Sequence, residues 1–324
     1  MAACHEPGLR WGVSCGRAGW LFGENDARKQ QGWSAVALAD TKVSVIVHEA
    51  HRESPVKPTY ILCILGLMLG RLTGGETSEE IDLSADFGSY SGTFVLYEAG
   101  HQRWKRYRPE QCRVRTSPCS TFKVLNSLIA LETTVASGSD FSLPWDGRRH
   151  SIESWNQDQT LRSAYSNSCV WFYQELATRI GIERYQQIIP KLGYGNNDLS
   201  GGVTGFWLQS SLVISPDEQV EFLRRLHEHK LPLSAKNVET VLDIMTLTSK
   251  EKTIFRGKTG SAFDKKNVPT MGWFIGSVTA PSGNHFFATR ITGGENPSGI
   301  TARKMTESIL SDLGVFPEND PVRP

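Results

Sequence analysis

A serine, a lysine three places later and an apolar run make up PCSTFKVLNSLIALE, residues 118–132. On a helix Ser120 and Lys123 share one face, so the chain aims an amine at a hydroxyl. Phe122, Val124, Leu125, Leu128 and Ile129 surround the pair with hydrocarbon. Burial disfavours an ammonium and lowers a lysine pKa. A neutral amine can take the proton of Ser120 or react further itself, which is the chemistry of an activated serine nucleophile. The pattern alone fits equally a serine that caps the first turn and a lysine that snorkels to water. Two more Ser-x-x-Lys stretches, from Ser54 and Ser249, lie in proline-bearing or polar surroundings and carry no such implication.

The stretch RGKTGSA, 256–262, tips the balance towards chemistry. On a strand it supplies a cation (Lys258), a hydroxyl (Thr259) and, at Gly260, a backbone that a helix or substrate can approach closely. An anionic acyl substrate and its oxyanion need such groups together with free backbone N–H donors. Between the two stretches lies NSCVWFYQ, where Ser168 stands just ahead of a helix and can relay a proton. The order Ser-x-x-Lys, Ser-x-Val, Lys-Thr-Gly is far more specific than any one piece.

The elements that must position these residues run from about residue 82 to about 315. GTFVLYEAG and HQRWKRYRP read as a hairpin, followed by the Ser-x-x-Lys helix to about Ser137. A helical block follows, in which Val170, Tyr173, Leu176, Ala177 and Ile180 recur at helical spacing and Gly181 closes the helix. SPDEQVEFLRRLHEH carries an N-cap at Ser215, Pro216 in the first turn and Glu218 at the capping-box position. TIFRGKTGSA, MGWFIGSVTAP and HFFATRITG read as three strands, and ARKMTESILSDLG as a final helix. Strands, helices, strands and a helix predict an α+β fold. An antiparallel sheet made from both ends of the chain is flanked by helices, beside an inserted all-helical block.

The 324 residues are 39% hydrophobic, enough for a substantial core, and the net charge of +1 gives no reason to expect nucleic acid or an anionic membrane as partner. No Cys-x-x-Cys occurs among the six cysteines, and HEAH (48–51) and HEHK (227–230) lack metal-site spacing, so no metal is expected. Cys112 and Cys119 are close enough in sequence for a local disulfide, with free thiols the alternative. The longest apolar run, YILCILGLMLG at 60–70, falls short of the ~20 residues that span a bilayer. It has the length of a leader's apolar region, and a start at Val56 through a GTG codon would make VKPTYILCILGLMLG an ordinary leader. The chain thus divides into an unassigned extension (1–55), a leader (56–75), one globular domain (76–318) and a short tail (319–324). Such a leader predicts export to a bacterial periplasm, with no stable membrane insertion of the mature chain.

From about Gly92 to Leu313 the chain resembles the serine active-site penicillin-recognising enzymes, specifically the class D (oxacillinase-type) β-lactamases. The motifs are STFK (120–123), WDG (145–147), SWNQDQTLRSA (154–164), SCVW (168–171), YGN (194–196), GFWL (205–208), ISPDEQ (214–219), GKTG (257–260) and GW (272–273). The resemblance implies hydrolysis of small-molecule β-lactams through an acyl-ester on Ser120. It implies that Lys123 combines with CO2 to form N6-carboxylysine, an anionic general base for acylation and deacylation. No separate cofactor is then needed beyond CO2 or bicarbonate. Trp207 is implied to hold the carbamate and Val170 to cover it. Ser168 and Lys258 would pass the proton to the leaving nitrogen. Thr259 and Arg303 would hold the substrate carboxylate, and the backbone N–H groups of Ser120 and Ser261 the oxyanion. Serine stands at 261 where the family often has an aromatic residue. Two other functions share the fold: a β-lactam receptor that stays acylated, and a D,D-peptidase. Both resemble Ser-x-Asn rather than the Ser-x-Val found here, so Val170 favours turnover.

Overall fold

In the computed structural model the described residues are 75–316. The expectations for the extension, the leader and the tail fall outside them, apart from Gly75. Strands β1 (Thr77–Glu80), β2 (Tyr90–Glu98) and β3 (Arg103–Tyr107) come first. β4 (Ser142–Leu143) and β5 (Gln159–Thr160) form a small separate pair, and β6 (Thr246–Lys250), β7 (Thr253–Phe263), β8 (Pro269–Ala280) and β9 (Gly283–Gly293) complete the set. Seven of these make one sheet in the order β1-β3-β2-β9-β8-β7-β6, so strands from both ends of the chain meet at the β2–β9 pair, as expected. All pairs are antiparallel except β1 with β3, so the sheet is mixed where the sequence reading has it purely antiparallel. The short β1 does not turn straight back on a neighbour. It passes through a single-turn helix (Ser84–Phe87) and β2, which leaves it free to add in parallel at the outer edge.

Alternation along the strands separates two apolar faces. Phe94, Phe255, Phe274 and Phe287 point to one face, where the final helix (Gly299–Asp312) covers them. Trp273, Ile275, Phe286 and Ala288 point to the other, under the helical block. That block contains α1 (Lys123–Glu132), α2 (Leu161–Ser166), α3 (Val170–Ile180), α4 (Ile182–Leu192), α5 (Pro216–His227) and α6 (Ala235–Ile244), and α7 (Gly299–Asp312) closes the chain.

Helix α1 is buried from Lys123 through Leu131. A helix buried on all sides belongs in a core, and its two buried polar positions after Lys123 are satisfied by tyrosines. Tyr185 donates to Asn126 Oδ1 at 2.6 Å, and Ser127 Oγ lies 2.8 Å from the Tyr173 hydroxyl. The helix ends at Glu132, short of Ser137: Thr133 Oγ1 donates back to the Ile129 carbonyl and Thr134 turns left-handed at φ 57°. Helix α5 begins where the sequence places it, with Ser215 and Glu218 forming the reciprocal capping box, worth about 1 kcal/mol. No helix among the described residues is long and apolar enough to cross a membrane.

Candidate active site

Ser120 sits in a 3₁₀ turn (Cys119–Phe122) that leads directly into α1. The turn is held from three directions. Thr121 Oγ1 donates to the Pro118 carbonyl at 2.8 Å, Gln219 Nε2 of α5 donates to Thr121 Oγ1 at 2.8 Å, and the Trp273 indole donates to the Ser117 carbonyl at 3.1 Å. From below, Gly260 of β7 lies so close that a methyl group there would come within 3.0 Å of the Pro118 carbonyl. The glycine of Lys-Thr-Gly thus admits the nucleophile's turn onto the strand.

Lys123 is fully buried, and its Nζ donates to Ser120 Oγ at 2.8 Å. Burial pushes its pKa from 10.5 down to about 7. Near neutral pH the amine loses its proton, and the same contact then lets Ser120 donate to nitrogen. Lys258 projects from β7 on the same side, buried, with Nζ donating to Ser168 Oγ and to the Thr259 carbonyl, both at 3.0 Å. Its pKa is also driven well down, first by burial and then by the charge of Lys123. Ser168 is presented by a left-handed residue turn (φ 52°) between α2 and α3, with its N–H on the Tyr165 carbonyl. Lys123 and Lys258 thus share one niche. No acidic residue lines the cavity they border.

That cavity, about 320 Å³, brings together Ser120, Ser168, Val170, Thr259 and Ser261. Its mouth is apolar: Ile152, Phe263 and Ile300 are exposed there. Ser261 turns its hydroxyl to α7, accepting from the Gly299 N–H at 2.9 Å. Trp207 is buried, stacks on Phe122 at 5.4 Å between ring centres, and its Nε1 makes no hydrogen bond within the protein. Its loop is stapled by Asn196 of the Tyr-Gly-Asn motif, which accepts from Val213 N–H at 3.0 Å and donates to the Ser211 carbonyl at 2.9 Å. Arg303 is not among the groups around Ser120. It stands in the second turn of α7, paired with Glu307 at 2.7 Å, and borders a neighbouring cleft that also reaches Lys258 and Thr259. Tyr194 and Trp171 are packing residues, the first buried against Phe122 and Phe222.

Cys112, Cys119 and Cys169 are all free and buried. Burial raises their pKa values, to about 12 at Cys112 and about 11 at Cys169, so none supplies a competing thiolate.

Sequence reasoning misses Gln209. β6 pairs with β7 only as far as Arg256, which leaves the end of β7 unpaired on that edge while β8 pairs the other. The Gln209 side chain takes that place, donating to the Phe263 carbonyl at 3.0 Å and accepting from the Phe263 N–H at 2.8 Å. Its own N–H reaches Ser117 Oγ at 2.9 Å, and Ser117 Oγ donates to the Trp207 carbonyl at 2.9 Å. The latch ties the β7 wall to the nucleophile's segment. Gln209, Cys119 and Ser168 all line the cavity with positive φ, a conformation that residue type does not announce. Gln209→Ala is expected to lower kcat about tenfold or more through lost alignment. Covalent labelling by penicillin should slow in proportion while the thermal midpoint moves little; labelling at the parental rate would show that the latch does not align the site.

Residues 90–311 match the penicillin binding protein transpeptidase domain. The probable β-lactamase YbxI of Bacillus subtilis (strain 168) is 36% identical over 237 residues, 73% of this chain and 86% of that protein. The regulatory protein BlaR1 of Bacillus licheniformis is 34% identical over 249 residues, 76% of this chain, but the match spans only 41% of BlaR1. A crystal structure of a class D β-lactamase from Bacillus subtilis superposes with a TM-score of 0.69 at 36% identity, covering 73% of this chain and 97% of that one.

Proposed function

We propose that this chain, which belongs to the class D β-lactamases of the penicillin binding protein transpeptidase domain family, opens β-lactams through an ester on Ser120 and releases them by hydrolysis. The observation that carries the reading is the 2.8 Å contact between Ser120 and a fully buried amine whose pKa is about 7. Ser120 Oγ attacks the lactam carbonyl and gives up its proton. The N–H groups of Ser120 and Ser261 face the developing oxyanion, and Ser168 with Lys258 returns a proton to the departing nitrogen. Thr259 borders both the cavity and the cleft that holds Arg303, so it receives the substrate carboxylate, and Arg303 contributes only through that cleft.

The residues fit a carbamate on Lys123. Only an unprotonated amine combines with CO2, and burial maintains one here. Trp207 Nε1 is a buried donor that has no acceptor within the protein, and Val170 would shield the group from water. A carbamate at this position supplies an anionic general base for acylation and for attack of water on the ester.

A second reading, a receptor that is acylated and does not turn over, is favoured by the likeness to BlaR1. Val170 weighs against it, because a polar side chain beside Lys123 would favour the ammonium and the loss of the base. A chromogenic cephalosporin separates the readings. Many turnovers per chain, rising when bicarbonate is added to CO2-depleted protein, are expected of the hydrolase; a stoichiometric burst marks the receptor, and no reaction at all removes both. Val170→Asn should convert turnover into such a burst, and undiminished turnover in that variant would refute the role given to the apolar cover. Export rests on the proposed leader, and N-terminal sequencing of the secreted protein tests it.

A further inference from the structure

In the β-lactam reading Lys258 is a buried amine that must act as a proton donor. It stands on β7, 4% exposed, and no carboxylate lines the cleft that reaches it. Its Nζ donates to Ser168 Oγ and to the Thr259 carbonyl at 3.0 Å, and more loosely to Thr259 Oγ1 at 3.4 Å. Those acceptors are neutral. A buried ammonium with no counter-charge is ordinarily disfavoured, and both burial and the charge of Lys123 work against this one. The second force vanishes once Lys123 gives up its proton. The first has to be offset by the groups in contact with the amine. The titratable and charged groups around it are Lys123 of α1, Arg303 of α7 with its partner Glu307, and Tyr165 of α2.

Tyr165 touches the Ser168–Lys258 pair at three points. Its ring centre lies 5.5 Å from Lys258 Nζ, within the range in which the negative face of an aromatic ring attracts a cation. Its hydroxyl donates at 3.3 Å to the carbonyl of Gly257, the residue before Lys258. Its backbone carbonyl accepts from the Ser168 N–H at 3.1 Å. The side chain is buried, and burial drives its pKa well above 10, so the phenol stays neutral. Lys123 also lies near a ring, 5.3 Å from the centre of Tyr173, yet among the described residues it hydrogen-bonds only to Ser120 Oγ. Acceptors and a ring face mark Lys258 as the amine that keeps its proton. Hydrocarbon marks Lys123 as the amine that loses it.

We propose that Tyr165 is a positioning residue for proton return: its ring face seats the Lys258 amine as an ammonium beside Ser168, while its hydroxyl and carbonyl fix the strand and the turn that carry the two. Ser168 hands its proton to the departing nitrogen and regains one from the Lys258 ammonium, which is left as a neutral amine and recharges from solvent. The ring thereby sets the upper pH at which the pair can give a proton. The inference rests on the β-lactam reading of the site.

The test is the pH profile of the second-order rate of ester formation with a chromogenic cephalosporin. It is measured on the full chain, on Tyr165→Leu and Tyr165→Phe, and on a chain carrying pentafluorophenylalanine at position 165. The acid limb follows Lys123 and the alkaline limb Lys258. Tyr165→Leu removes the ring, so Lys258 should lose its proton at lower pH and the alkaline limb should move down by about one unit. The acid limb should stay in place. Tyr165→Phe keeps the ring and should keep both limbs. Fluorination reverses the negative face of the ring at nearly constant shape, so the same downward shift is expected, and this chain decides where Tyr165→Leu fails to fold. An alkaline limb that stays at the parental pH when the ring is removed or fluorinated overturns the inference. So do both limbs moving together, and a shift in Tyr165→Phe as large as in Tyr165→Leu. A parent chain that forms no ester refutes the β-lactam reading, and the inference falls with it.

Discussion

Alanine in place of Ser120 is expected to abolish covalent labelling by penicillin and to lower β-lactam hydrolysis by about four to six orders of magnitude. The hydroxyl that the Lys123 amine contacts is lost, and Cys119 beside it offers no substitute, being buried with its thiol held protonated. The turn itself should survive. Its anchors are Thr121, Gln219 and the Ser117 carbonyl, none of which bonds to Ser120. Lys123 loses one acceptor, a change of about 1 kcal/mol for a neutral group. Intact-protein mass spectrometry after incubation with penicillin reads the outcome directly. A mass increase of one penicillin on the alanine variant would mean that another side chain forms the ester.

Alanine in place of Lys123 is expected to slow acylation by about two to four orders of magnitude, the range of a lost general base. Whatever ester does form should persist, because the water that would cleave it has lost the same base. The variant then resembles the receptor, labelled slowly and released hardly at all. Rapid release of the ester by this variant would refute a role for Lys123 in deacylation. The same lysine predicts a pH signature. Its pKa falls from 10.5 to about 7 on folding, so between those values the unfolded chain binds a proton that the folded chain does not. Stability from this group is therefore fully present above about pH 10.5, diminishes as pH falls through that window, and is gone below about pH 7. Denaturant midpoints measured across pH 7 to 10.5 should rise less steeply for Lys123→Ala than for the parent. Equal slopes would show that the amine is not the buried neutral group inferred here. In activity assays at fixed CO2, the parent should gain rate as pH climbs through about 7, when the neutral amine becomes the major form.

Much of the scaffold was legible because its signals are local. The capping box of Ser215 and Glu218 spans one turn, and the apolar spacing of Val170–Ile180 repeats every turn. The alternation in β7–β9 repeats every second residue, and each of these elements appears where its pattern places it. The helix α1 stops short of Ser137 because Thr134 adopts a left-handed backbone that threonine rarely favours. Even the pairing of Arg303 with Glu307 was open to inspection, since four residues on a helix bring the two together. The tertiary structure sets this arginine beside the cleft that also reaches Lys258 and Thr259.

By itself the sequence determined that a serine and a lysine share a helix face in apolar company, and that a Lys-Thr-Gly strand and a Ser-x-Val turn accompany them. Only the tertiary structure decided that Lys123 is wholly dry, that Lys258 meets Ser168 across 90 positions, and that Gln219 steadies Thr121 across 98. It also decided that Gln209 takes the place of a partner strand on the free edge of β7. The reason is range. Backbone pattern depends on neighbours within a turn or a pleat, whereas desolvation, and with it the proton affinity of an amine, depends on every group that closes around it from remote parts of the chain.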